Sequence, residues 1–155
     1  MASVTVWTDE GLRTTITTRD QVWHADEPLD SGGTNTAATP MEQVMGALGS
    51  CIVITLHLYA NRKNWPLEKV EVHLDVQRFA GNDYPAYQGD AQFVHEIREQ
   101  VTVHGSELTA DQRRTLMEIA KKCPVRRLLA TPTFFVDPEQ TIEAPAAIVQ
   151  PEERR

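Results

Sequence analysis

The sequence is short of the features that mark several large classes of protein. Basic residues are outnumbered, with 15 Lys and Arg against 22 Asp and Glu and a formal net charge of −7, which disfavours binding to nucleic acid and to anionic membranes. The longest apolar stretches, such as residues 51–56, are far shorter than the roughly 20 residues of a membrane span. The first ten residues lack the basic and apolar regions of a secretory signal. We therefore expect a cytoplasmic protein without nucleic-acid or membrane partners.

Cysteine is equally scarce, since Cys51 and Cys123 are the only two. Structural disulfides are rare in reducing compartments, and two thiols are too few for a zinc site unless histidines contribute. The five histidines show no metal-ligand spacing, so we predict no metal. Two interpretations of the cysteines remain. In the first, both cysteines are buried core residues. In the second, one thiolate attacks a peroxide, and the second thiol condenses with the resulting sulfenic acid to form a disulfide.

What is present is typical of a globular domain. The 155 residues are 41% hydrophobic and 24% charged, and they contain neither internal repeats nor a linker. We interpret residues 1–155 as a single domain of the α+β class, with a loose tail from about residue 144.

Alternating apolar and polar residues predict several β-strands. Short strands are expected near the N-terminus, two long ones in the second half, and a last short one near the end. Their ranges are 4–6, 12–18, 21–25, 70–76, 92–103 and 134–136.

The clearest local signal is the start of a long helix. Thr39, Pro40 and Glu42 have the residue types of an N-cap, a first helical position and a capping box, and the helix is expected to run to about Asn64, before Trp65-Pro66. One predicted face carries Val44, Leu48, Cys51, Thr55 and Leu58. The other positions are also mostly apolar, so the helix needs burial nearly all round, and a second chain is expected to supply part of it.

A second helix is expected to begin after Thr109, which forms another capping box with Gln112. In one interpretation, Cys123 continues the apolar face of this helix. In the other, Pro124 allows Cys123 to begin a further short helix over 124–129. A nucleophilic thiol needs a lowered pKa. Cys51 is expected in the middle of its helix, too far from the helix N-terminus for that end to lower its pKa. Four cations flank Cys123, either as a solvated face or as thiolate partners: Lys121, Lys122, Arg126 and Arg127.

Four segments together resemble the OsmC/Ohr family of peroxide-handling proteins, and most closely its OsmC-like branch. They are Gly32-Gly33-Thr34-Asn35-Thr36 with Thr39-Pro40, then Ala47-Leu48-Gly49-Ser50-Cys51, then Arg62-Lys63-Asn64-Trp65-Pro66-Leu67, and finally Lys122-Cys123-Pro124-Val125. Their order and spacing agree with the family from about residue 10 to residue 136.

The resemblance implies an interleaved α+β homodimer with the cysteine helices at its centre and the site at the interface. It implies a thiol peroxidase acting on organic hydroperoxides, with Cys51 as the peroxidatic and Cys123 as the resolving cysteine. In the family an arginine activates the first thiol and a glutamate holds that arginine. Arg19 matches the arginine, with Arg13 as the alternative, and Glu42 is the candidate glutamate. No bound cofactor is implied; the reductant is an external dithiol, which in the family can be a lipoyl group.

Two positions depart from the family pattern. The peroxidase branches have their glutamate directly after the helix-opening proline, where this chain has Met41, and Glu42 follows one residue later as in the OsmC-like branch. Nine residues separate Glu42 from Cys51, which is about 13 Å along a helix and roughly the opposite side of it. Any catalytic help from Glu42 is therefore expected from the partner chain. At position 126 the OsmC-like branch often has His, and this chain has Arg126.

Two other functions fit the same residues. The first is a non-catalytic dimer that binds a small apolar or acyl ligand at the interface, with both cysteines serving as core. The second is a thiol redox sensor whose disulfide forms slowly.

Overall fold

The computed structural model describes residues 3–8 and 10–135. Within them the chain forms strands and helices of the predicted α+β class. In chain order they are β1 (Thr5–Thr8), β2 (Thr14–Thr18), β3 (Gln21–Ala25), α1 (Pro40–Arg62), β4 (Lys69–Ala80), β5 (Phe93–His104), α2 (Ala110–Ala120) and α3 (Pro124–Ala130).

The strands form two separate antiparallel sheets. In the N-terminal sheet β2 lies between β1 and β3. The strands β4 and β5 pair along their full length, from Lys69 opposite His104 to Ala80 opposite Phe93. The predicted strand over 12–18 begins later, at Thr14, because Gly11 has a positive φ and the Arg13 N–H donates to the Glu10 carbonyl, which closes a turn there.

The predicted capping box opens α1. Thr39 Oγ1 accepts the Glu42 N–H at 3.2 Å, and the Glu42 carboxylate accepts the Thr39 N–H at 2.7 Å. The helix ends at Arg62, slightly before the predicted Asn64. Asn64 adopts a left-handed conformation (φ 52°) and the Trp65 N–H reaches back to the Ala60 carbonyl, which is the usual way for a helix to close its last turn.

The core lies where α1 packs on β4, α2 and α3. The buried line of α1 is Leu48, Ile52, Leu56 and Ala60. The predicted stripe was therefore wrong about the face: of its members only Leu48 is buried, and Leu58 is 57% exposed. Because α1 is apolar nearly all round, its periodicity does not single out one side. By length and composition alone α1 is also able to cross a membrane.

The two described residues of the predicted final strand, 134 and 135, do not form a strand. Phe134 and Phe135 have no regular structure and are 84% and 93% exposed. Aromatic residues favour strands, but a strand also needs a partner, and neither residue joins β1–β3 or the β4–β5 ribbon. Val136 and the predicted loose tail lie outside the described residues.

Candidate functional site

The two cysteines meet in the core although 72 positions separate them in sequence. Cys51 lies in the middle of α1, half-buried, and packs on the buried cluster that includes Cys123. Cys123 is fully buried. Both thiols are free. The packing of α1 against α2 and α3 is what brings the two side chains together.

Cys123 is the N-cap of α3, so the prediction that it begins a short helix is confirmed, and α2 ends before it, at Ala120. Its Sγ accepts the Arg126 N–H at 3.4 Å. Burial raises the pKa of Cys123, and interaction with the Cys51 thiol raises it further, while the Arg126 N–H acts in the opposite direction. Cys123 is therefore held as a neutral thiol, and Cys51 is the more accessible of the two.

Two of the four cations around Cys123 pair with carboxylates, and the other two are exposed. The Arg126 guanidinium binds both carboxylate oxygens of Glu99 on β5, at 2.8 and 2.6 Å. Lys121 pairs with Glu118 at 2.9 Å, and Lys122 and Arg127 are exposed. Sequence reasoning missed Glu99. Its position was a signal, because alternation places Glu99 on the same side of β5 as the apolar residues Ile97 and Val101.

Arg19 occupies the turn between β2 and β3, where it is exposed and has a positive φ of 51°. Among the described residues its side chain makes no hydrogen bond or ion pair, either with Cys51 or with any other group. Its alternative, Arg13, is half-buried just before β2. One chain alone thus does not join the candidate arginine Arg19 to the thiols.

Glu42 serves as a helix cap. It is exposed, and within the described chain its carboxylate bonds only to Thr39. The Thr39 N–H, with the Thr39 hydroxyl, lowers the pKa of Glu42. A single chain gives no support for a catalytic Glu42, and Met41 beside it is also exposed.

A second missed residue is Asp26, which organises the loop before α1. Its buried carboxylate accepts the backbone N–H groups of Glu27, Thr34 and Thr36 and the hydroxyls of both threonines, at 2.6–3.3 Å. These hydrogen bonds, led by the Thr34 hydroxyl, lower the pKa of Asp26 far below its ordinary value. A Cβ on Gly33 would lie only 1.9 Å from the Glu27 carbonyl oxygen, which explains the glycine.

An open groove of about 570 Å³ runs between α1 and β4. Its lining is mainly apolar and consists of Met45, Gly46, Gly49, Ser50, Val53, Ile54, Val72 and Leu74. Among the described residues no three His, Cys, Asp or Glu side chains are grouped to hold a metal ion.

The family model described as OsmC-like protein matches residues 33–136, which include both cysteines and every element from α1 to α3. The chain belongs to the OsmC-like family. The expected family is thereby confirmed. No protein with a curated description matches the sequence.

Solved structures of OsmC-like proteins share the fold. An OsmC-like protein from Mycoplasma pneumoniae matches with a TM-score of 0.66 at 18% identity, over 84% of this chain and 87% of its own. An organic hydroperoxide resistance protein OsmC from Legionella pneumophila matches at 0.59 and 17%, over 83% and 88%. The organic hydroperoxide resistance protein OhrB of Bacillus subtilis matches at 0.53 and 20%, over 83% and 89%. At these identities the likeness establishes the fold alone.

Proposed function

We propose that this protein is a thiol-dependent peroxidase that reduces organic hydroperoxides. The Cys51 thiolate attacks the terminal peroxide oxygen, the O–O bond breaks, and the alcohol leaves after taking up a proton. Cys123 then attacks the sulfur of the Cys51 sulfenic acid, the S–O bond breaks, and water is released as the disulfide forms. An external dithiol, such as a lipoyl group, reopens the disulfide by thiol–disulfide exchange.

The observation that carries the proposal is the adjacency of two free thiols with unequal surroundings. Cys123 is sealed in the core with a raised pKa, which suits a resolving thiol that reacts only after its neighbour is oxidised. Cys51 is half-buried among apolar side chains, which favours an organic peroxide over hydrogen peroxide.

The proposed working form is a homodimer. The helix α1 leaves Met41, Val44, Ile54 and Leu58 between 41% and 58% exposed, and a second copy would cover this apolar surface. Within one chain Arg19 is exposed and bonds to none of the described residues, so it is available to approach Cys51 when two copies assemble. We propose Arg19 as the group that stabilises the Cys51 thiolate.

The decisive experiment titrates the full chain with cumene hydroperoxide and counts free thiols. We expect rapid loss of two thiols per chain, and no rapid loss in a Cys51→Ser variant. Arg19→Ala should slow Cys51 oxidation roughly tenfold or more, because a hydrogen bond to a charged group contributes about 1.5–3 kcal/mol. Arg114→Ala is the matched control, since Arg114 is an exposed arginine on α2 paired with Asp111.

The groove beside α1 favours one second candidate, a non-catalytic dimer that binds a small apolar or acyl ligand. Its volume of about 570 Å³ lies in the ordinary range for ligand sites, roughly 300–1,000 Å³. Thiols that survive the titration unchanged would favour this function over the peroxidase. Slow oxidation that is equal in the wild type and the Arg19→Ala variant would favour a redox sensor.

A further inference from the structure

The ion pair between Glu99 and Arg126 joins β5 to the first turn of α3. Two bonds of 2.8 and 2.6 Å connect the carboxylate to a single guanidinium nitrogen. The Glu99 side chain is 15% exposed and the Arg126 side chain 39%. A groove of about 340 Å³ between β5 and α2 opens beside them.

Arg126 also contacts Cys123, through its main chain. Its backbone N–H donates to Cys123 Sγ at 3.4 Å, so the position of the Arg126 main chain and the position of the sulfur are linked. The helix α3 has few other anchors, because it spans only Pro124–Ala130 and none of these residues is buried. Within α3, Val125 packs partly on the core cluster.

We propose that Glu99 is a positioning residue for the resolving cysteine. It holds Arg126, and with it the first turn of α3, so that Cys123 Sγ stays beside Cys51. This proposal rests on the proposed function, and it concerns only the closing step, in which Cys123 attacks the Cys51 sulfenic acid, the S–S bond forms, and the thiol proton leaves with the hydroxyl group as water.

The test separates the two steps in a Glu99→Leu variant of the full chain. Leucine fits the apolar side of β5 and cannot accept from Arg126. After a pulse of cumene hydroperoxide, trapping with dimedone measures the Cys51 sulfenic acid, and mass spectrometry measures the disulfide. We expect an unchanged first step and a closing step roughly 10- to 100-fold slower, the size of effect that a small misplacement of reacting groups produces. Glu99→Asp, which keeps the charge, should restore much of the closing rate.

Glu96→Leu is the matched control, because Glu96 lies on the same strand and also binds an arginine, Arg98, at 2.6 Å. It should leave closure unchanged. If Glu99→Leu does not fold, Arg126→Gln removes the same ion pair from the other side and should slow closure likewise.

A second measurement does not depend on peroxidase activity. Diamide oxidises neighbouring dithiols to disulfides, so the rate of its reaction with the wild type and with Glu99→Leu reports how well the thiols are placed. Slower closure in both assays supports the proposal. Equal closure in Glu99→Leu, or no rescue by Glu99→Asp, would overturn it. A wild type whose Cys51 resists hydroperoxide while diamide still shows the Glu99 effect would overturn the proposed function and leave the positioning role standing.

Discussion

Asp26 shows how one side chain organises a whole segment. Its carboxylate collects N–H and O–H donors from Glu27, Thr34 and Thr36, so ten residues of loop close around a single charge. The first of the four segments that resemble the family, Gly32–Thr36, lies in this loop, and α1 begins four residues after it ends.

The lowered pKa of Asp26 predicts a dependence of stability on pH. A carboxyl group whose pKa is lower in the folded state stabilises the fold at pH values above its unfolded pKa, about 4. That contribution is lost as the pH falls through the folded pKa. We expect the free energy of unfolding, measured with urea, to fall below pH 4 in the wild type and to depend less on pH in Asp26→Asn, which is also less stable at neutral pH. Asp30→Asn, a change at an exposed loop carboxylate, should retain the wild-type profile; the same profile in Asp26→Asn would contradict this assignment.

A substitution of Glu42 can distinguish a helix-capping role from a catalytic role. The box at the start of α2 uses glutamine at the equivalent place, Gln112, so glutamine can replace Glu42 as a capping residue. We expect Glu42→Gln to keep both the helix and the rate of thiol oxidation. Thr39→Ala should lower stability by about 1 kcal/mol because it removes the N-cap. A large loss of oxidation rate in a folded Glu42→Gln variant would return Glu42 to the catalytic set.

At the scale of elements, Gln43 links the N-terminal sheet to α1 through its side chain. It donates to the His24 carbonyl at 2.7 Å and to the Ala38 carbonyl at 3.0 Å, and it accepts the Trp23 indole N–H at 3.0 Å. The sheet that carries Arg19 is therefore attached to the first turn of the cysteine helix.

Loss of this link should loosen the sheet selectively. In Gln43→Ala we expect faster hydrogen exchange in β1–β3 and unchanged exchange in β4 and β5. Each lost hydrogen bond is expected to cost about 0.5–1.5 kcal/mol. Gln100→Ala is the control, since Gln100 is exposed on β5. Uniformly faster exchange in every strand would show instead that the sheet and the core unfold together.

The elements with local signals could be predicted from sequence, and those decided by packing could not. The capping residues Thr39 and Thr109 predicted where α1 and α2 begin, and alternation predicted β3 and most of β4 and β5. The buried face of α1 could not be predicted, because apolar residues surround the helix. Residues 134–135 have strand propensity but no partner strand.

The residues of the candidate site also fall into two groups, those that the sequence predicts and those that only the packing reveals. The cysteines could be selected because thiols are rare here and because the family motif places them. Their contact depends on how α1, α2 and α3 pack, which no local pattern encodes. Asp26 and Glu99 act through distant partners, so only the folded chain shows what they hold.

At the scale of the whole molecule, the apolar surface of α1 predicts self-association. A charge placed within it should weaken the proposed dimer, because burying an apolar side chain contributes about 1.5–3 kcal/mol and burying an unpaired charge is costly. We expect Ile54→Glu to be monomeric by light scattering at concentrations where the wild type is dimeric. Leu29→Glu is the control, since Leu29 is 74% exposed but lies outside α1. A monomeric wild type would contradict the dimer and remove the proposed route by which Arg19 reaches Cys51.

Because the sulfur of Cys123 caps α3, the residue chosen to replace Cys123 affects the helix as well as the chemistry. A serine at position 123 would offer the Arg126 N–H an oxygen acceptor, and serine is among the preferred N-cap residues. An alanine would remove the acceptor together with the thiol. Serine therefore separates loss of redox chemistry from loss of helical structure at this position, whereas alanine confounds the two.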